Sequence, residues 1–223
     1  MSEEPLIWGI RHGQSVSNAG MVTVSPATSA LTQLGRMQAE ALAERFERFE
    51  RPPDLIVHSV FVRTVQTARP TMQRFPNVPV EVWPVQEYTY LDSALYAGTT
   101  SEERRPAMEA YWDRCDPHSL DGDGESFVHA MERANEVLER FQAIKGFAAV
   151  FSHGKFLRLL SWMLLTGHRE PTAKAMRRFG AFRLAAYLPN AGVWTVQPNG
   201  AGGADGMVFG GYDVSHLPKK IRS

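Results

Sequence analysis

Leu6-Ile7-Trp8-Gly9-Ile10-Arg11-His12-Gly13-Gln14-Ser15-Val16-Ser17-Asn18 is an apolar run that ends in Arg-His-Gly and continues at once into small polar residues. It predicts a buried strand that delivers Arg11 and His12 to its carboxyl end, the edge at which α/β folds place their ligands. Gly13 lets the chain turn sharply, and the free amides opening a following helix favour an anion. A histidine beside a permanent cation and an amide-rich turn is well placed to meet phosphate. Taken alone, the tripeptide fits a salt-bridged arginine and a satisfied strand-end histidine equally well. The rest of the chain separates the two readings.

The opening design recurs at Phe147-Ala148-Ala149-Val150-Phe151-Ser152, a second apolar run that passes into His153-Gly154-Lys155 and then a nearly all-apolar helix from Phe156 to Thr166. A third run, Asp54 to Ser59, is too short for a helix and flows into Val60-Phe61-Val62-Arg63, where helical spacing begins. Arg63 therefore sits just past a strand, in the topological position of Arg11. Between these runs, Gly20 to Ala30 reads as a small-residue loop and Thr32 as a helix cap. Leu34, Met37, Ala41, Leu42, Phe46 and Phe49 form an apolar stripe, stopped by Arg51-Pro52-Pro53. Pro79 to Trp83 is a further strand, followed by Glu87. Glu125 to Lys145 is an amphipathic helix that Gly146 is expected to end. Ala181 to Leu188, Val193 to Gln197 and Met207 to Tyr212 read as strands, with a turn over Pro198 to Gly206. Residues 88 to 123 interrupt the alternation and hold four of the six tyrosines, which suits either a cap over the site or an excursion with its own small core.

Composition narrows the class. The 223 residues suffice for one domain, here read as a single domain over 1–223 with 88–123 as a cap. Basic and acidic residues balance at 24 each, so the charge offers no case for nucleic acid or an anionic membrane, and neither is expected as a partner. The single cysteine, Cys115, fits a reducing compartment and reads as structural. No basic, apolar or cleavable segment precedes the first strand, so a cytoplasmic location is expected.

Brought to one edge, Arg11, His12, Arg63 and His153 with a nearby carboxyl suffice for phosphoryl transfer. An imidazole attacks phosphorus while guanidiniums stabilise the spreading charge. The arginines also disfavour protonation of the attacking ring. Glu87, just after a strand end, is the candidate to protonate the leaving alcohol and later activate water. No His-x-x-x-His pair, Cys cluster or Asp cluster accompanies the histidines, and the arginines would repel a cation, so no metal is expected. Walker-type and Gly-x-Ser-x-Gly motifs are absent. Lys155, Arg104 and Arg105 are candidates for selecting an acidic substrate.

Arg11-His12-Gly13-Gln14-Ser15 with Asn18, Leu31-Thr32 with Gly35 and Gln38-Ala39, Ser59 with Arg63, Thr67 and Ala68, and Ser152-His153-Gly154 together resemble the histidine phosphatase superfamily, which includes the cofactor-dependent phosphoglycerate mutases. Gly124-Glu125-Ser126 and Asp213-Val214-Ser215-His216-Leu217 extend the match over most of the chain. The resemblance implies a three-layer α/β/α sandwich on a mostly parallel sheet, with no metal or cofactor. It also implies His12 as the phosphorylated nucleophile, with Arg11, Arg63 and His153 around the phosphate. Asn18 and the Gly154 amide are further donors, and Glu87 is the acid. Mutases of the family carry an aromatic residue where Ser17 stands and a Glu-Arg-x-Tyr-Gly-type run where this chain has Glu87-Tyr88-Thr89-Tyr90-Leu91. Those departures point to a phosphatase acting on a small phosphorylated substrate. A mutase and a weakly catalytic phosphate-recognition protein are the alternatives, and a homodimer is compatible with either.

Overall fold

A computed structural model describes residues 4–198 and 206–223. Its centre is a six-stranded sheet in the order β3-β2-β4-β1-β5-β6, with β1 Leu6–Arg11, β2 Leu55–His58, β3 Val80–Val82, β4 Phe147–Ser152, β5 Val193–Pro198 and β6 Met207–Asp213. β3, β2, β4 and β1 run parallel, whereas β5 is antiparallel to both β1 and β6. The helices are α1 Gln33–Arg48, α2 Val62–Arg74, α3 Arg105–Arg114, α4 Phe127–Ala143, α5 Gly154–Thr166 and α6 Ala173–Ala185.

The period-two alternation of the strands sorts their side chains onto two faces. Trp8, Ile10, Ile56, Phe147, Ala149 and Phe151 join Leu42 and Phe46 of α1 and Ala68 of α2 in one apolar cluster. Ile7, Val57, Ala148 and Val150 face the other way, into a larger cluster with α4, α5 and α6. Because both faces of the parallel strands are covered, β4 is buried along its whole length. The result is a mixed α/β fold with helices on both sides of the sheet.

Cap chemistry places several of these helices. Thr32, Ser126 and Thr172 each accept the amide three residues on, opening α1, α4 and α6. Two expectations need correction here. Ala181 to Leu188 is not a strand: through Ala185 it is the second half of α6. Its buried residues Ala175, Met176 and Phe179 repeat at helical spacing, and the apparent strand pattern places Leu184 at 75% exposure. Gly146 does not end α4, which stops at Ala143 with Ile144 turning extended. A Cβ on Gly146 would stand 2.3 Å from Asp54 Oδ2, the oxygen that accepts from Phe147 N at 2.7 Å. The glycine serves entry into β4. Helix α5 begins at Gly154, two residues earlier than expected, and the Pro198 to Gly206 turn lies mostly outside the described residues.

Residues 88 to 123 hold a short 3-10 turn at Ser93–Tyr96 and α3. Tyr88, Tyr90, Leu91 and Tyr111 do not build a separate core but enter the larger cluster, with the Tyr88 and Tyr111 hydroxyls bonded at 2.5 Å.

Candidate active site

Topology puts the chemistry together. β1, β4 and β2 are neighbours with common direction, and Arg11 pairs in register with Ser152. His12 and His153 thus leave the sheet side by side, with ring centroids 5.1 Å apart. Ser59, just past β2, accepts or donates at 2.7 Å to His153 Nε2, and Arg63 lies one turn on, at the start of α2.

The loop after β1 is locked by close backbone contact. A Cβ on Gly13 would meet Gly35 O at 2.5 Å, and one on Gly35 would meet Gln14 O at 2.1 Å, so the loop lies against the first turn of α1. Gly13 N donates to Thr67 Oγ1 at 3.0 Å, and that hydroxyl donates to Arg63 O at 2.6 Å. The loop and the first turns of α2 are therefore one unit.

Within that unit the His12 tautomer follows from its partners. Gly13 O, 2.7 Å from Nδ1, can only accept, so Nδ1 carries a proton. The Nε2 lone pair accepts Arg63 Nε–H at 3.0 Å. His12 is 3% exposed, and burial first, then Arg63 and Arg11, hold its pKa well below the ordinary imidazole value. Burial likewise pushes His153 well down, with Arg63 and His12 adding to it. Thr64 Oγ1 gives its proton to Phe61 O at 2.7 Å, leaving the Ser59 hydroxyl to donate to Thr64 at 2.7 Å and accept from His153 Nε2. His153 Nδ1 is buried without a partner.

The arginines are held by neutral oxygens rather than carboxylates. Arg11 Nη1 donates to Leu188 O at 2.5 Å and Arg63 Nη1 to Pro26 O at 2.5 Å. Burial lowers the Arg11 pKa, and it pushes Arg63 down to about 10. Arg11 Nε has no partner and lies against Gly154, the first residue of α5. Glu87 faces them from beyond β3. Its Oε1 accepts Tyr88 N at 3.0 Å, Lys155 N at 3.1 Å and Phe156 N at 3.1 Å, while Oε2 has only Lys155 N at 3.3 Å.

A cavity of about 180 Å³ is lined by Arg11, His12, Asn18, Arg63, Glu87 and Arg104, among others. Of the sequence-derived candidates, His153 is fully buried beside His12 and Gly154 packs behind Arg11. Arg105 is exposed, ion-paired with Glu102, and takes no part in the cavity wall. Among the described residues no cluster of three or more His, Cys, Asp or Glu side chains could hold a metal ion. No described helix is long and apolar enough to cross a membrane.

One participant had no sequence signal. Asn190, 4% exposed, donates through Nδ2 to His12 O at 3.1 Å and to Asn18 Oδ1 at 3.0 Å. Asn18 Oδ1 also accepts Ser15 N at 3.2 Å and Ser15 Oγ at 3.0 Å, so these donors fix its amide with Nδ2 turned the other way. The loop from Leu188 to Gly192 thus grips Arg11, His12 and Asn18 together, and Ala191 in it adopts φ 55°. Pro189-Asn190 reads in sequence only as a turn.

The family model of the histidine phosphatase superfamily (branch 1) matches residues 7–186. The chain belongs to this superfamily. As a histidine phosphatase it has solved structural neighbours of the same fold. A mycobacterial glucosyl-3-phosphoglycerate phosphatase is 25% identical with TM-score 0.63, over 87% of this chain and 90% of that one. The alpha-ribazole phosphatase of Shigella flexneri is 21% identical with TM-score 0.66, covering 89% and 93%. Phosphoserine phosphatase of Entamoeba histolytica, in complex with 3-phosphoglyceric acid, is 18% identical with TM-score 0.69, covering 96% and 100%. The comparison with curated proteins found no match.

Proposed function

We propose that this histidine phosphatase hydrolyses phosphomonoesters without a metal, through a phosphohistidine on His12. The observation that carries this reading is the His12 ring. Its proton is committed to Gly13 O, its unprotonated Nε2 meets only Arg63, its ring packs beside His153, and it lines one cavity with Arg63 and Glu87.

In the first step Arg63 turns its fork from Nε2 to the phosphate oxygens, and Nε2 attacks phosphorus. The bond to the ester oxygen breaks, and Glu87 gives that oxygen a proton. Oε2, the less engaged carboxyl oxygen, is the one that carries it. In the second step the Glu87 carboxylate takes a proton from water as the water oxygen attacks phosphorus. The N–P bond breaks, and inorganic phosphate leaves with Nε2 again unprotonated. Throughout, Arg11 and Asn18 Nδ2 bind the equatorial oxygens. His153 takes a proton at Nδ1 from the monoanionic form of the entering ester and returns it as a hydrogen bond to the resulting dianion. The phosphatase names of the structural neighbours support this reading over transfer to a second hydroxyl. So does the absence of the mutase-type run after Glu87.

Glu87→Gln tests the acid. The expected loss in kcat is about 10²–10⁴-fold for alkyl phosphates. The first step with an aryl phosphate, whose phenol leaves without help, loses far less and shows as a burst of phenol. An equal loss for both ester types would remove Glu87 from the acid role. Asn190→Asp tests the loop. Its carboxylate cannot donate to Asn18, so inhibition by orthovanadate weakens about ten-fold, equivalent to about 1.4 kcal/mol. In an Asn18→Ala background the same change has no further effect on inhibition. Full additivity in that double-mutant cycle would show that Asn190 does not act through Asn18.

A further inference from the structure

Arg104 lines the same cavity at 5% exposure. Its Nη1 donates to Thr99 O at 2.8 Å, Thr99 Oγ1 at 2.8 Å and Thr23 Oγ1 at 3.3 Å, and its guanidinium lies 4.3 Å over the Tyr96 ring. All of these partners are neutral. Glu103, whose charge reaches it, is exposed and spends its carboxylate on Thr100 N and Thr100 Oγ1. Among the described residues, then, no carboxylate is bonded to this buried guanidinium. With Nη1 occupied, the remaining edge, Nε and Nη2, is the fork that matches a carboxylate with two parallel hydrogen bonds. Tyr96, the ring under this guanidinium, lines the same cavity as Arg63. Thr23, Ser25 and Ser101 give the wall around Arg104 a hydroxyl lining.

We propose, resting on the phosphatase reading above, that the substrate is a small phosphomonoester bearing a carboxylate. The phosphate meets His12 and Arg63, and the carboxylate lies on the Nε/Nη2 edge of Arg104. A neutral ester leaves that guanidinium buried and unpaired, which costs binding. An ester with a carboxylate supplies a directly bonded counter-ion. Arg105, exposed and paired with Glu102, has no part in this selection.

The test compares kcat/KM for phosphoglycolate and for 2-hydroxyethyl phosphate, in the wild type, Arg104→Gln and Arg104→Lys. The ratio of the two values within one variant does not depend on how much of the variant is folded. The wild type is expected to prefer phosphoglycolate by about ten-fold or more, Arg104→Gln to lose that preference, and Arg104→Lys to keep part of it. A wild type that turns over both esters equally, or an Arg104→Gln ratio equal to that of the wild type, overturns the subsite while leaving the phosphatase reading intact. If the folded wild type hydrolyses neither ester, the phosphatase reading fails, and calorimetry with phosphoglycolate decides the subsite alone. Binding that weakens about ten-fold in Arg104→Gln supports it, and binding that is absent or unaffected by the substitution overturns it.

Discussion

His12→Ala is expected to lower kcat for aryl and alkyl phosphates by on the order of 10⁴-fold or more and to abolish the acid-labile phosphoenzyme that the wild type is expected to form on rapid quench. In the proposed mechanism the ring supplies the attacking lone pair, and among the described residues no second nucleophile is placed to replace it. His153 Nε2 is committed to Ser59, and its ring lies behind that of His12, fully buried. His153→Ala therefore costs less, since it removes a phosphate donor and leaves the covalent route open. Excess chelator is expected to leave wild-type turnover unchanged, because the proposed mechanism takes its charge stabilisation from the guanidiniums of Arg11 and Arg63. Both line one cavity with their Nη1 groups held by neutral backbone oxygens rather than by carboxylates, so their charge is available to the phosphate. Undiminished turnover in His12→Ala, or dependence of the wild type on added metal, would overturn the mechanism.

The parts of this site differ in how plainly the sequence displays them. Arg11, His12, Arg63 and His153 are legible because each follows a short apolar run whose length admits only a strand. Parallel strands bring such positions to one edge whatever the loops do. Thr32 is legible because a helix cap is a local interaction, satisfied three residues away at Gly35 N. Asn190 escapes because its partners, His12 O and Asn18 Oδ1, are 178 and 172 residues distant, and nothing local in a turn asparagine reports them. Gln38 shows the same limit from the other direction: the family resemblance picks it out, but not that it is buried on α1 and links Gln14 N to Ile221 O, 183 residues from its own position. The reading of Ala181 to Leu188 failed for a different reason. Ala181 to Leu188 has no clear helical stripe of its own, and the buried face of α6 lies earlier, where Phe179 packs on Trp112, Phe127 and Trp162 of other helices. Gly146 fails likewise, because the constraint on it is the carboxylate of Asp54, which enters the neighbouring strand β2 and is near only in the fold.

Acid should destabilise this protein well before its carboxylates titrate. An imidazole in the unfolded chain protonates near pH 6.5. In the folded chain His12 and His153 stay neutral well below that value, and His216 is pushed down to about 4. Below pH 6.5 the unfolded state therefore binds protons that the folded state refuses, so stability falls as pH falls. Each such histidine adds a slope that approaches about 1.4 kcal/mol per pH unit. For His216 the window closes near pH 4, where the folded form also protonates. Its cause is plain: burial first, then Arg45, whose Nη1 donates to Nδ1 at 3.0 Å, while Nε2–H is held by Ala191 O at 3.0 Å. A second proton on that ring would face a guanidinium. Three histidines acting together approach about 4 kcal/mol per pH unit, a large share of a total stability of about 5–15 kcal/mol. Urea unfolding followed by tryptophan fluorescence at pH 7.5, 6.5 and 5.5 measures this directly. His216→Gln retains both hydrogen bonds, since its amide can donate to Ala191 O and accept from Arg45, yet it cannot titrate. The variant should lose about one third of the slope below pH 6.5 while phosphatase activity at pH 7.5 is retained. Stability that stays level from pH 7.5 to 5.5, or an identical slope in His216→Gln, would show that these rings are not held neutral by the fold.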